Sequence, residues 1–119
     1  TVNHRDTYTG ITDEDRALTI SELAGVAADP DVEAFAEQFR APGHVHLLRA
    51  APNLLADREG HTELGIALAH AADLPPAVVV CEMLDDETGR ERTPAAARAY
   101  AEEHGLVYVE GSEIVEQLG

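Results

Sequence analysis

The chain has no lysine and no tryptophan, and its 119 residues include one cysteine and one methionine. Three Tyr and two Phe are its only large aromatic side chains. Its core must therefore be built from Ala, Val, Leu and Ile. One cysteine excludes a disulfide within the chain, which fits a reducing cytosol and a cytoplasmic location. No apolar run approaches the ~20 residues that a membrane-spanning helix needs. The amino-terminal TVNHRDTYTG lacks the charged-then-apolar layout of a secretion signal. HExxH and CxxC are both absent, which excludes the common zinc sites. A Gly-rich dinucleotide loop and a GxSxG elbow are absent too.

Charge is present in quantity, but of one sign. Asp and Glu number 23 against 8 basic residues, for a formal net charge of −15. All the basic residues are Arg. Such a surface repels nucleic acid and anionic membrane, so neither is an expected partner. It also repels itself in dilute buffer, and salt screens that repulsion. Abundant carboxylates without lysine are the composition expected of a protein from a high-salt cytoplasm. Hydrophobic residues make up 45% of the chain, enough for one folded domain over residues 1–119.

Apolar periodicity and end signals divide the chain into alternating strands and helices. Thr1–His4 reads as a strand that begins abruptly, as though sequence preceded it. Thr12 before Asp13, Glu14 and Asp15 is a capped helix start, with acids set against the helix dipole. That helix should run to about Leu23, and a second should cover Val32–Phe39 after Pro30. Pro42 and Gly43 mark a turn, and Val45–Leu48 suits a buried strand. Thr62–Leu74 has helical spacing and stops at Pro75. The run Ala77–Cys81 reads as a strand covered on both faces. Asp85–Arg92 should be a loop. Thr93 and Pro94 open a helix that Gly105 closes after His104. Leu106–Val109 reads as a further strand, and Ser112 starts a terminal helix. The alternation predicts an α/β fold with a mixed sheet flanked by helices.

Three clusters carry the candidate chemistry. Arg58-Glu59-Gly60-His61-Thr62-Glu63 lies at a predicted loop-to-helix junction, where unpaired N–H groups suit an anion. Arg58 can fork onto a phosphate, and the Thr62 hydroxyl can donate to it. Gly60 lets the backbone approach a ligand closely, and His61 can ligate a metal through a neutral imidazole nitrogen. The plainer alternative is a Thr62 cap beside a surface histidine. Glu82 follows the apolar run Ala77–Cys81, so it should stand at a strand's carboxyl end, where α/β sheets collect ligands. A carboxylate desolvated there can serve as a general base; a solvated strand-end Glu is the other reading. Cys81 suits a small buried side chain better than a nucleophile. In Pro42-Gly43-His44-Val45-His46 the two histidines alternate on a strand and face opposite ways, so only one can enter a given site. His4, His70 and His104 read as structural or surface residues.

Taken together, these segments resemble the 3,4-dihydroxy-2-butanone 4-phosphate synthase family, and its archaeal branch most. The resemblance rests on TYTGITDEDRA (Thr7–Ala17), FRAPGHV (Phe39–Val45), REGHTE (Arg58–Glu63) and Cys81-Glu82. The tail EEHGLVYVEGSEI also fits, as do TVNH at the start and HLLRAA after the PGH motif. The resemblance implies a lyase of riboflavin biosynthesis. It converts ribulose 5-phosphate to a four-carbon phosphate and formate. It implies magnesium, with manganese in its place as an alternative, and a homodimer with sites near the interface. His61 would ligate the metal. Arg58 and Thr62 would hold the phosphate, with Glu59 and Gly60 beside them. Glu82 would be the acid/base carboxylate and His44 an essential histidine. Thr7 and Thr9 would lie on the substrate side. Family members are about twice this length, and the resemblance implies that a second metal ligand, a glutamate, lies in the half not matched here.

Two other readings fit the same residues. One is a truncated, catalytically inactive domain that keeps the fold and associates with a partner chain. The other is a different sugar-phosphate isomerase or aldolase using the same phosphate clamp. Formate separates the last from the lyase, because those reactions release none.

Overall fold

The structure is a computed structural model that describes residues 1–119. Its elements, in order, are β1 (Val2–His4), α1 (Asp13–Ala28), α2 (Val32–Gln38), β2 (Phe39–Val45), a 3-10 turn (Leu54–Ala56), α3 (His61–Ala71), α4 (Pro94–His104) and α5 (Gly111–Leu118). None of the helices is long and apolar enough to cross a membrane.

The helices start where short polar side chains satisfy the first N–H groups. Thr12 accepts from Asp15 N–H to cap α1, Asp31 from Glu33 and Ala34 to cap α2, and Thr93 from Ala96 to cap α4. Pro94 occupies the first turn of α4, and Gly105 ends that helix at φ 64°, a left-handed conformation that suits glycine. Helix α1 runs past the expected Leu23 to Ala28. Helix α5 starts one residue before Ser112, with Glu110 and Glu113 forming a reciprocal capping box.

The sheet within this chain is one antiparallel pair, β1 with β2. Val2 pairs with Val45, but Asn3 pairs with Arg40, so Ala41–His44 bulge out between the two registers. This corrects two expectations. Pro42 and Gly43 lie inside β2 rather than in a turn, and the strand ends at Val45 instead of running from Val45 to Leu48. The cause is β1. It offers a ladder to Phe39–Val45, while Leu47 and Leu48 have nothing to pair with and stand exposed. The runs Ala77–Cys81 and Leu106–Val109 are not strands here either. Both carry the residues of a buried strand, but no segment of this chain lies alongside to take their backbone groups. Val79 and Val107 are accordingly exposed. The chain is α/β, and the mixed sheet expected of it is not completed by these residues.

The core around β1 and α1 is small and partly polar. Phe39 stacks on Phe35 at 5.0 Å and meets the His4 ring edge-on at 5.4 Å. Fully buried Thr19 of α1 accepts the His4 N–H at 3.0 Å and so ties helix to strand. A second, smaller core lies between α3 and α5, around Ala67, Ala69 and Ile114. The radius of gyration is 16.3 Å. A folded domain of this length is expected at about 13.5 Å. Its accessible surface is 8857 Å², against roughly 6200 Å² expected for a folded monomer of this mass. The excess is several times the ~800 Å² that one partner contributes to a standard interface. Apolar side chains such as Val78, Val79, Val80, Leu106 and Val107 are among those left exposed.

Candidate active site

The loop Thr7–Gly10 is built around one carboxylate. Asp15, in the first turn of α1, accepts from the N–H groups of Gly10 (2.8 Å), Thr9 (3.0 Å) and Tyr8 (3.3 Å), and from the Thr9 hydroxyl (3.3 Å). These donors, that of Gly10 foremost, hold the Asp15 carboxyl below its ordinary value. Thr9 is exposed, with its side chain on Asp15. Thr7 is buried and turned inward. Its hydroxyl donates to His4 O at 2.7 Å, and the Arg40 guanidinium reaches it at 3.4 Å.

His44 lies in the bulge of β2, beside Asn3 of β1. Its N–H donates to Asn3 Oδ1 at 2.8 Å, and its ring Nδ1 lies 3.1 Å from Asn3 Nδ2. Asn3 Nδ2 also approaches Thr9 O at 3.5 Å, so one buried amide joins the Thr7–Gly10 loop to His44. His46 is exposed and makes no comparable contact.

Arg58, Gly60, His61 and Thr62 meet at the start of α3. Gly60 is the N-cap and has no side chain to satisfy the first N–H groups. The Glu63 and Gly60 N–H groups act on the Glu63 carboxylate, and those of His61 and Thr62 are left for an anion. Arg58 folds back over Gly60, and a Cβ there would sit 3.2 Å from the guanidinium carbon. His61 and Glu59 are exposed, and Thr62 is half-buried. Thr62 is the second helical residue and not the cap.

Beneath them lies Glu63, with no exposed surface. Its Oε1 accepts from Ala51 N–H at 2.9 Å and stands 3.9 Å from Arg58 Nη1. Its Oε2 is buried without a partner, packed under Gly60. The Ala51 N–H, followed by the Glu63 N–H, the Arg58 charge and the Gly60 N–H, holds this carboxyl below its ordinary value against the opposing cost of burial. A Cβ on Gly60 would press 2.7 Å from Glu63 Oε2. A side chain at this position would thus have to displace the buried Glu63 carboxylate.

Glu82 is exposed, on the irregular segment after Cys81. Of the two readings, the solvated carboxylate is the one found, though without the strand end expected beneath it. Cys81 is exposed as well, where a buried side chain was expected. The physical reason is the one given above: that segment has no neighbouring strand. Its place beside α3 is still fixed, because the Val78 side chain packs over Gly65, where a Cβ would lie 2.9 Å from it. No hydrogen bond joins Glu82, His44 and the α3 junction to one another.

No three His, Cys, Asp or Glu side chains converge as a metal site. Magnesium favours several oxygen ligands, and His61 alone does not supply them. The residues of this chain do not fit that ion by themselves.

Asn3, Asp15 and Glu63 were not among the residues singled out from the sequence. Asp15 read as a first-turn acid, and Glu63 as part of REGHTE. The acidic third residue of a helix signals a local cap, but the bond Glu63 makes is to Ala51, twelve residues back.

The fold and these junctions define an α/β protein with a helix that starts at a glycine cap, next to Arg58, and a histidine carried in the bulge of β2. The sequence model of 3,4-dihydroxy-2-butanone 4-phosphate synthase matches residues 1–117, and the chain belongs to that family. It is 53% identical to the 3,4-dihydroxy-2-butanone 4-phosphate synthase of Methanothermobacter thermautotrophicus, over 98% of this chain and 51% of that protein. It is 38% identical to that of Candida albicans, over 94% of this chain and 52% of that protein. A crystal structure of the Candida albicans synthase superposes with a TM-score of 0.86 at 36% identity, covering all of this chain and 58% of that one. The chain spans about half the length of the curated relatives it matches.

Proposed function

We propose that this chain carries one side of a lyase site. That site turns ribulose 5-phosphate into 3,4-dihydroxy-2-butanone 4-phosphate and formate for riboflavin biosynthesis. The observation that supports this most is the start of α3, where Arg58 lies over an uncapped helix amino-terminus. A phosphate dianion fits there, taking N–H groups from the helix and a charged fork from Arg58. His44 and Glu82 supply groups that hold or move protons during enediol formation and loss of water. The atoms balance without an oxidant or reductant: the water lost after enediol formation is added back at the carbon that is cleaved, and that carbon leaves as formate. His61 is the one metal ligand this chain offers. The remaining ligands lie outside it. The exposed runs Ala77–Cys81 and Leu106–Val109 pair with further strands of the same family domain, and the assembled protein is a homodimer of the cytoplasm.

The test is formate release followed by proton NMR. The chain is incubated with ribulose 5-phosphate and magnesium at high salt, alone and with the rest of a family domain. Formate should appear in the complemented sample and fall at least ~100-fold on Glu82→Gln, the usual scale for losing an acid/base group. Formate that persists in Glu82→Gln removes that residue from the chemistry. No formate in either sample, from folded protein, rejects the lyase reading.

A further inference from the structure

We propose that Asn3 is a positioning residue that holds His44 in a single tautomer, with the ring proton on Nε2. The inference rests on the reading of His44 as a site residue, but its geometry stands apart from that reading.

Asn3 is 3% exposed. Its backbone pairs with Arg40 across the bulge, which leaves its side chain beside His44, where a regular ladder would have placed backbone. The amide can be oriented in only one way. Oδ1 faces the His44 N–H, a donor, at 2.8 Å. Nδ2 faces Thr9 O, an acceptor, at 3.5 Å. Reversing the amide would set NH₂ against N–H and carbonyl against carbonyl. With the amide fixed, Nδ2 donates to the ring atom 3.1 Å away, His44 Nδ1. That nitrogen must therefore offer its lone pair, and the proton of the neutral ring resides on Nε2.

Two glycines of the family motifs make room for this amide. A Cβ on Gly10, where φ is +87°, would overlap the Asn3 side chain. A Cβ on Gly43 would overlap the backbone of Val2 and Asn3. The Asp15 carboxylate fixes the Thr9–Gly10 backbone that closes over Asn3. The chain from Asp15 through Thr9 and Asn3 to His44 thus leaves a histidine that presents an N–H donor from Nε2. In the proposed lyase, His44 then enters the cycle as a donor to a substrate oxygen and not as a base.

The experiment is long-range ¹H–¹⁵N correlation on the labelled chain, at a pH above about 8, where an ordinary imidazole is neutral. Nδ1 of His44 should appear in the unprotonated range and Nε2 in the protonated range. Asn3→Asp keeps the shape but removes the donor. Its carboxylate accepts from the His44 N–H and from a proton on Nδ1, so the two ring signals should exchange places. A merely structural Asn3 would leave them unchanged in that variant, which would overturn the proposal. Averaged ring shifts in the unsubstituted chain, or a proton on Nδ1, would overturn it even if Asn3→Asp does not fold. Because the readout is the ring itself, failure here is distinct from failure of the formate assay. If formate is released, Asn3→Asp should lower its rate with ribulose 5-phosphate saturating.

Discussion

Val2 and Val79 sit in short extended segments of comparable character, yet Val2 is 5% exposed and Val79 is 70% exposed. The difference is in the neighbours and not in the residues. Val2 lies across from Val45, and β1 is backed by α1 through Thr19. Val79 has helix α3 near one side, by way of Val78 over Gly65, and no strand alongside. An extended run is a strand only if another run takes its N–H and C=O groups. In the amino-terminal region two strands pair with each other, whereas the runs Ala77–Cys81 and Leu106–Val109 have no strand of this chain beside them. The largest expected effect follows from that contrast. Phe39→Ala removes a 4%-exposed ring stacked between Phe35 and His4. It should cost about 3–5 kcal/mol in chemical denaturation, the usual range for a buried Phe. A loss under about 1 kcal/mol would mean that the β1–α1 core is not what holds the chain together.

Two carboxylates sharpen the comparison by acid titration. Asp15 is held low by N–H groups from a separate loop, Tyr8–Gly10. Asp85 is held low by Glu87 and Thr88 of its own turn. A carboxyl with a folded pKa below its unfolded one binds fewer protons when folded. Its stabilisation is present above the unfolded value, near pH 4, and fades as pH falls through the folded value. Asp15→Asn should therefore destabilise the chain at neutral pH, with the gap to the unsubstituted protein closing below about pH 4. Asp85→Asn should show the same sign with a smaller gap, because it unties only a local turn. Equal gaps would show that the Thr7–Gly10 loop adds nothing beyond local geometry.

The parts of the molecule that were legible in the sequence are those set by local chemistry. Thr12, Thr93 with Pro94, and Gly105 announced helix ends because each acts on its own turn, whereas the Asp31 cap of α2 emerged only in the structure. The REGHTE and PGH motifs placed Arg58, Gly60, His61 and His44 at a helix start and on a strand, as found. The errors share one cause. Whether Val45–Leu48, Ala77–Cys81 or Leu106–Val109 becomes a strand depends on a neighbour far away in the chain or outside it. The same holds for the supporting residues. Asn3, Asp15 and Glu63 act over 41, up to 7, and 12 residues of sequence, and no periodicity encodes such a pairing. Glu82 was read as desolvated only because its strand was read as covered.

Salt should move the whole chain by less than the Phe39 substitution does. With a net charge of −15 and no lysine, screening relieves repulsion among exposed carboxylates. The thermal midpoint should rise from dilute buffer to molar potassium chloride. An unchanged midpoint would remove the high-salt reading of the composition. The rise should persist in Asp85→Asn, since the effect belongs to the summed surface and not to one turn.

The smallest effect tests the open region directly. In this chain alone, Val79→Ser should shift stability by no more than about 0.5 kcal/mol, as for other exposed positions. The result should change if a neighbouring strand is supplied. Burying a valine is worth about 1.5–3 kcal/mol, so the same substitution should weaken complementation by the rest of a family domain by roughly that amount. Val2→Ser should behave in the opposite way, costly in the chain alone and little changed by complementation. If Val79→Ser is silent in both settings, the run Ala77–Cys81 is not the surface that a further strand covers. If it is costly in both, that run already packs within this chain, and the contrast between the two regions fails.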